Sequence, residues 1–250
     1  MKIVVIGGTG LIGSRLIEMV QEHGHEGVAA APSTGVNTLT GEGLAEVMQG
    51  ADAVVDVSNS PSWAREDVWN FFTTSTSNLL EAEKAAGVGH HVALSIVGSE
   101  RLPDNDYFRA KIAQEALIEG SGVPYSLVHA TQFFEFVKGI ADEATRDDGV
   151  HIAPVRFQPI AAADVSLNVG KVAVGAPLNG RREIAGPEQY QMDEFIGEAL
   201  KALGDPRTVV PDVHARYFGS ELEQRSLVPG DGATLGRIGY FDWLKDNQGK

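Results

Sequence analysis

The chain has 250 residues, no cysteine, 34 acidic against 20 basic side chains, a formal charge of −14 and 43% hydrophobic residues. That apolar content is too high for a disordered chain and suffices for one well-buried domain, while the lack of cysteine excludes disulfides, thiolate metal sites and cysteine nucleophiles and suits a reducing cytoplasm. The acidic balance repels phosphate backbones and anionic lipid, and the densest basic spot is only Arg181-Arg182.

No apolar run approaches the roughly 20 residues of a membrane span, and Met1-Lys2 leads straight into an apolar segment without the layout of a leader. The expectation is a cytoplasmic protein with no nucleic-acid and no membrane partner.

Ile3 to Ile6 form a β-branched run that stops at glycines, after which Leu11, Ile12, Leu16, Ile17 and Val20 recur at helical spacing up to Gly24. The pattern repeats: an apolar stretch over Val28 to Ala31, a helix near Leu44 to Met48, and a strand over Ala53 to Val57 ending at Ser58-Asn59-Ser60-Pro61. A long helix follows, carrying Val68, Phe72, Ser75, Leu79 and Ala82 on one face. It leads past Gly87 into a strand over His91 to Val97, a helix over Asp106 to Glu119 and a strand over Tyr125 to His129. Such alternation of near-continuous apolar strands with helices predicts an α/β fold, a doubly wound parallel sheet with helices on both faces.

After about residue 130 the rhythm loosens. The pattern predicts a Phe-rich helix near Gln132 to Ala144, an extended piece over Val155 to Ile160 and a helix from Asp164. Frequent Pro and Gly suit a small lobe over the sheet's carboxyl edge better than a second core, so residues 1–250 read as a single domain with a substrate lobe from about residue 131.

Gly7-Gly8-Thr9-Gly10-Leu11-Ile12-Gly13 lies between the first strand and the first helix, where a dinucleotide pyrophosphate rests on backbone N–H groups and the helix's positive end. Gly7 permits the tight turn, Gly10 the close approach of phosphate, and Gly13 the packing of helix on strand. The second strand ends without the acidic residue that selects NAD or the Arg that selects NADP; the hydroxyls and N–H groups of Ser33 and Thr34 suit a 2′-phosphate, so the reading leans to NADP with NAD as the alternative. Asn37 and Thr38 are placed for the adenine, and Ser58 and Asn59 for the middle of the cofactor.

Tyr107 and Lys111 are four apart on the helix and share a face. A neighbouring ammonium favours phenolate, so the spacing predicts a tyrosine acid/base of lowered pKa, with the lysine also holding the nicotinamide ribose. Ser95, twelve residues before Tyr107, is a candidate for orienting the same substrate oxygen, and Ser99 competes for that role. Trp63, Gln132 to Phe136, Phe157 and Tyr217-Phe218 are candidates for an apolar wall, or for ordinary packing. His23-x-His25 and His90-His91 have metal-like spacing but no carboxylate or cysteine nearby in sequence; they read as turn or surface histidines, and no metal is assigned.

These residues resemble a short-chain dehydrogenase/reductase, of the atypical NmrA-like branch. The likeness covers roughly residues 1–200 and includes Asn78 to Ala82, Tyr107 to Lys111, Gly122 to Val128 and Pro159 to Val165. It implies NAD(P)-dependent redox chemistry on a Rossmann sheet with Ser, Tyr and Lys as the catalytic group, acting on a small-molecule carbonyl substrate. His129-Ala130 stand where relatives commonly carry Arg-Pro, so substrate contacts there do not carry over. The resemblance leaves two rivals: a redox-sensing regulator that binds the cofactor without turnover, which typically lacks the Tyr and Lys pair, and a nucleotide-sugar epimerase or dehydratase, which normally needs a larger C-terminal lobe. The long helix beginning near Trp63 is a candidate homodimer contact, although its own sheet also needs its apolar face.

Overall fold

Five residues of strand lead into the glycine turn. In the computed structural model, which describes residues 1–247, the chain then runs β1 (Lys2–Ile6), α1 (Leu11–Glu22), β2 (Glu26–Ala30), α2 (Leu44–Met48), β3 (Ala53–Asp56), α3 (Arg65–Ala86), β4 (His90–Ile96), α4 (Asp106–Gly120) and β5 (Tyr125–Ala130). It continues through α5 (Val137–Glu143), β6 (Thr145–Arg146), β7 (Gly149–Ile152), β8 (Arg156–Phe157), α6 (Ala162–Ala173), β9 (Gly180–Ala185), β10 (Tyr190–Gln191) and α7 (Met192–Ala202). Short strands β11 (Val209–Pro211), β12 (Arg216–Tyr217), β13 (Ser220–Glu221) and β14 (Thr234–Leu235) precede α8 (Tyr240–Asn247). The fold is the expected α/β one: a seven-stranded sheet in the order β2-β1-β3-β4-β5-β9-β14, with a small C-terminal region.

The chain divides into two compact units. The first comprises residues 1–95, 106–129 and 165–182. Its strands pair in parallel, β1 with β2 from Lys2↔Glu26 to Ile6↔Ala30, β1 with β3 from Ile3↔Ala53 to Ile6↔Asp56, and β3 with β4 from Ala53↔His90 to Asp56↔Ala93. Val4, Ile6, Val54, Met48 and Leu79 fill one core cluster, and Leu80, Ala93, Ile118 and Leu127 another. The long helix α3 has Glu66 and Asp67 in its first turn, Lys84 in its last and Gly87 as a left-handed cap, charges and terminator that match the helix dipole. In α6, Gly170 packs so tightly that an added Cβ would lie 1.9 Å from Met19 Cε of α1.

The second unit comprises residues 96–105, 130–164 and 183 onward, so residues 165–182 return to the first. Its sheet β11-β7-β6 and paired strands β8-β10 and β12-β13 accompany an aromatic core in which the Phe195 ring lies 4.7 Å from Tyr240 and 5.4 Å from Phe157. Phe157 and Phe134 are buried in it, and so are packing residues and not the wall of an open pocket. The Phe-rich helix expected from Gln132 is two pieces, a 3-10 turn over Phe134–Phe136 and then α5. The extended piece shortens to β8, with Ile160 bridging to Phe133.

Among the described residues, no helix is long and apolar enough to cross a membrane.

Candidate active site

The glycine turn is closed by Gly8 N–H donating to the Val5 carbonyl at 3.0 Å and Gly10 N–H to that of Gly7 at 2.9 Å. Gly7 has φ +78°, and a Cβ there would sit 2.9 Å from Ser58 Cα. At Gly13 an added Cβ would lie 2.3 Å from the Gly7 carbonyl oxygen, which is the tight helix-on-turn packing its place in the motif implies. Gly8, not singled out in the sequence, is equally confined: a Cβ there would lie 2.7 Å from the Val5 oxygen and 2.8 Å from Ala29 Cα.

Gly10 differs: it is exposed and extended, and a Cβ would meet only the Gly7 oxygen, at 3.3 Å. Thr9 and Leu11 are exposed beside it, while the Ile12 side chain is buried. The α1 N-terminus has no side-chain cap and no acid in its first turn, so its positive end is open to an anion. An open glycine cradle on an uncapped helix end fits a dinucleotide pyrophosphate.

The other residues expected to line a cofactor are largely engaged in their own turns. The Thr34 hydroxyl accepts from Ala31 N–H at 2.9 Å and lies 3.1 and 3.0 Å from the carbonyls of Ala29 and Ala31, while Ser33 is exposed. Asn37 Oδ1 accepts from the N–H of Leu39 at 2.9 Å, and the Thr38 carbonyl accepts from Asn78 at 2.8 Å. Ser58 donates its hydroxyl and its N–H to one oxygen of Asp56, at 2.6 and 2.9 Å.

Tyr107 and Lys111 do lie one turn apart in α4, but their polar ends are held by different partners. The half-buried Tyr107 donates its phenolic proton to Asn59 Oδ1 at 2.9 Å, with its ring 5.4 Å from Trp63 and 5.5 Å from Phe72. Lys111 is buried; its ammonium donates to the Leu94 carbonyl at 2.8 Å and to Gln114 Oε1, and stands 4.6 Å over the Phe72 ring.

The electrostatics reverse the direction expected from the spacing. Burial, and then the charge of Asp56, hold the Tyr107 phenol well above its ordinary range. Lys111 is lowered to about 8 by burial, against the opposing charges of Asp56 and Glu115. Tyr107 therefore stays protonated at neutral pH, a hydroxyl donor and not a phenolate.

Ser95 is buried and gives its hydroxyl proton to the carboxylate of Glu115. His129 Nε2 stands 3.3 Å from the same Glu115 oxygen. Burial would raise the Glu115 carboxyl, but His129, Ser95 and Lys111 together hold it below its ordinary value. With that acceptor ionised, Ser95 has no second proton to offer a substrate. Ser99 is also buried, in a 3-10 turn of the second unit.

The key residue the sequence reading missed is Asp56. It is 2% exposed; one oxygen holds Ser58 and the other accepts from Gln114 Nε2 at 2.9 Å. The signal was there: an acid inside the apolar run Ala53-Val54-Val55-Asp56-Val57 demands a partner. A second correction concerns His90 and His91, expected in a turn or at the surface and in fact buried in β4. His91 Nδ1 pairs with Glu83 Oε1 of α3 at 2.8 Å, a carboxylate invisible from the local sequence.

Within the second unit, a cleft of about 450 Å³ lined by Arg156, Gln189, Tyr190, Glu194 and Glu198 contains none of the expected site residues. The glycine turn and the Tyr107 cluster are instead the chemistry-bearing features.

Comparison with known proteins agrees with the turn. Residues 7–165 match a family described as NAD(P)H-binding. The chain is 29% identical over 218 residues to divinyl chlorophyllide a 8-vinyl-reductase of Arabidopsis thaliana, covering 77% of this chain and 50% of that protein. It is 22% identical over 153 residues to the photosystem II assembly factor Ycf39 of Synechocystis, covering 56% and 47%. The chain thus spans about half the length of the curated relatives it matches. Among solved structures, an NADPH-dependent quinone oxidoreductase from Escherichia coli superposes with a TM-score of 0.65 at 17% identity, over 84% of this chain and 78% of that one. The dTDP-glucose 4,6-dehydratase DesIV of Streptomyces venezuelae reaches 0.73 at 16% identity, over 100% and 98%. At these identities the structures show a shared fold. The chain belongs to the NAD(P)H-binding family, as an atypical short-chain dehydrogenase/reductase of the NmrA-like type.

Proposed function

We propose that the protein is an NAD(P)H-dependent reductase of a small, apolar carbonyl compound. One relationship carries the reading: Ser58 backs the glycine turn at Gly7, and the next residue, Asn59, holds the hydroxyl of Tyr107. The anion cradle and a protonated acid are thereby joined through two consecutive residues of one compact unit.

The bound dinucleotide would supply hydride, with its pyrophosphate on Gly10 and the α1 N-terminus. Tyr107, kept protonated by burial and Asp56, donates to the substrate oxygen as negative charge develops there. Lys111 supplies a buried positive charge below that acid, and Trp63 and Phe72 give it apolar flanks. The relatives named as a vinyl reductase and a quinone oxidoreductase support a reductase of unsaturated or carbonyl compounds. NADP is the proposed cofactor, because β2 runs out through Ala29, Ala30 and Ala31 to the exposed Ser33 with no carboxylate to bind a 2′-hydroxyl or repel a 2′-phosphate.

The test is oxidation of NADPH and NADH by the purified protein against aldehydes, ketones, quinones and imines, with dinucleotide affinity measured in parallel. Turnover, with NADPH bound more tightly than NADH, supports the reading. A second reading, a redox sensor, draws on Ser95 being turned onto Glu115; tight dinucleotide binding with no turnover across the panel would establish it instead.

A further inference from the structure

We propose that Asn59, and not Ser95, is the catalytic group that shares the substrate oxygen with Tyr107. The inference rests on the reductase reading above and names a residue of that same site.

The orientation of the Asn59 amide is fixed by its neighbour. The backbone N–H of Ser60 lies 2.9 Å from Asn59 Oδ1, and an N–H can only donate, so that atom is the oxygen. Tyr107 contacts the same atom at 2.9 Å and must therefore donate to it. The phenolic proton is aimed at Asn59, and Nδ2 lies beside it on the same planar group with no hydrogen bond among the described residues. Asn59 is exposed, whereas Ser95 is 3% exposed and has given its proton to Glu115.

The turn bearing Asn59 is braced on both sides. Ser58 is tied to Asp56, the Ser60 hydroxyl donates to the Ser62 carbonyl at 2.8 Å, and the Ser62 hydroxyl donates to Asp67 at 2.7 Å. The Tyr107 ring is held between Trp63 and Phe72. Donor and acceptor are thus placed before any substrate arrives, the preorganisation that makes a hydrogen bond effective at developing charge.

In the step that follows, a bound reduced dinucleotide would supply hydride to the carbonyl carbon, and the carbonyl π pair would move onto oxygen. That oxygen takes the Tyr107 proton, which leaves Asn59 Oδ1, while Asn59 Nδ2–H donates to the same oxygen as its charge develops. The product would be the alcohol, its hydride supplied by the dinucleotide, and the Tyr107 phenolate regains its proton from solvent.

The test compares wild type with Asn59→Asp, Asn59→Ala and Ser95→Ala. Asn59→Asp keeps the acceptor for Ser60 and Tyr107 but removes the donor and adds a negative charge. The expected fall in kcat is about 100-fold in both Asn59 variants, the scale of one lost oxyanion donor, with dinucleotide affinity in Asn59→Ala changed less than about threefold. Asn59→Ala removes the donor without adding charge, so a fall confined to Asn59→Asp would be an effect of charge alone and would overturn the assignment. Ser95→Ala should fall at least about tenfold less than Asn59→Asp. Wild-type kcat in both Asn59 variants would overturn the assignment while leaving the reductase reading intact. Absence of turnover by wild type would overturn both.

Discussion

Asp56 accepts a 2.9 Å hydrogen bond from Gln114 Nε2, and the amide oxygen of Gln114 is thereby turned onto the ammonium of Lys111. A carboxylate at the end of β3 so orients, through one side chain of α4, the cation of the site. Its negative charge also favours the charged lysine against burial. In Asp56→Asn the midpoint of Lys111, read from the carbon resonance of its terminal methylene in a lysine-labelled sample, should fall below about 8. A midpoint unmoved or raised would show that Asp56 does not act on Lys111.

Lys111 also leaves a signature in stability. A lysine whose folded-state pKa lies below its unfolded value costs stability where it must be charged, and that cost fades as pH rises. For Lys111 the window opens at about 8 and closes near its ordinary value of 10.5. Urea denaturation of wild type and Lys111→Met across this range should show wild type gaining on the variant by up to about 3 kcal/mol. The offset at pH 7 depends on the hydrogen bonds lost to Leu94 and Gln114, but the slope does not. A constant difference between the two proteins would contradict the buried charge.

The Glu83–His91 pair slopes the other way. Burial lowers His91, yet the charge and hydrogen bond of Glu83 outweigh it and raise the histidine above its usual value. A raised histidine contributes stability that is full below its unfolded pKa and lost as pH rises through the folded one. Glu83→Gln should therefore destabilise more at pH 6 than at pH 9, by about 3 kcal/mol at the acid end, the scale of breaking a buried pair. Equal destabilisation at both pH values would place His91 neutral throughout.

Two glycines should separate folding from binding. Gly13→Ala forces a methyl to within 2.3 Å of the Gly7 oxygen and should lower stability by about 1–3 kcal/mol along with binding. Gly10→Ala meets one oxygen at 3.3 Å, so its thermal midpoint should stay near wild type while dinucleotide affinity falls by tenfold or more. Unchanged affinity in folded Gly10→Ala would remove the pyrophosphate from this turn.

Much of the first unit was legible because its signals are local. Apolar runs at Ile3 to Ile6 and Ala53 to Val57, glycines at the ends of helices and the four-residue spacing of Tyr107 and Lys111 depend on neighbours in the chain. The partners of those side chains were not legible. Asp56 meets Gln114, and His91 meets Glu83, across elements whose registry only the folded sheet defines. The tyrosine's expected activation met the same limit: the sequence shows Lys111 beside Tyr107 but neither the burial of the phenol nor the nearby charge of Asp56, which together raise it. In the second unit, Phe134 and Phe157 look alike as pocket wall or as core, and aromatic packing with Tyr240 and Phe195 decides for core.

The most direct measurement is NADPH-dependent carbonyl reduction by wild type and Tyr107→Phe, with dinucleotide affinity determined for each. The expected result is turnover by wild type, a loss of about 100-fold or more in kcat for the variant, and affinity for the dinucleotide retained. Turnover equal in the two proteins would contradict a tyrosine acid, and binding without turnover in either would contradict the reductase itself.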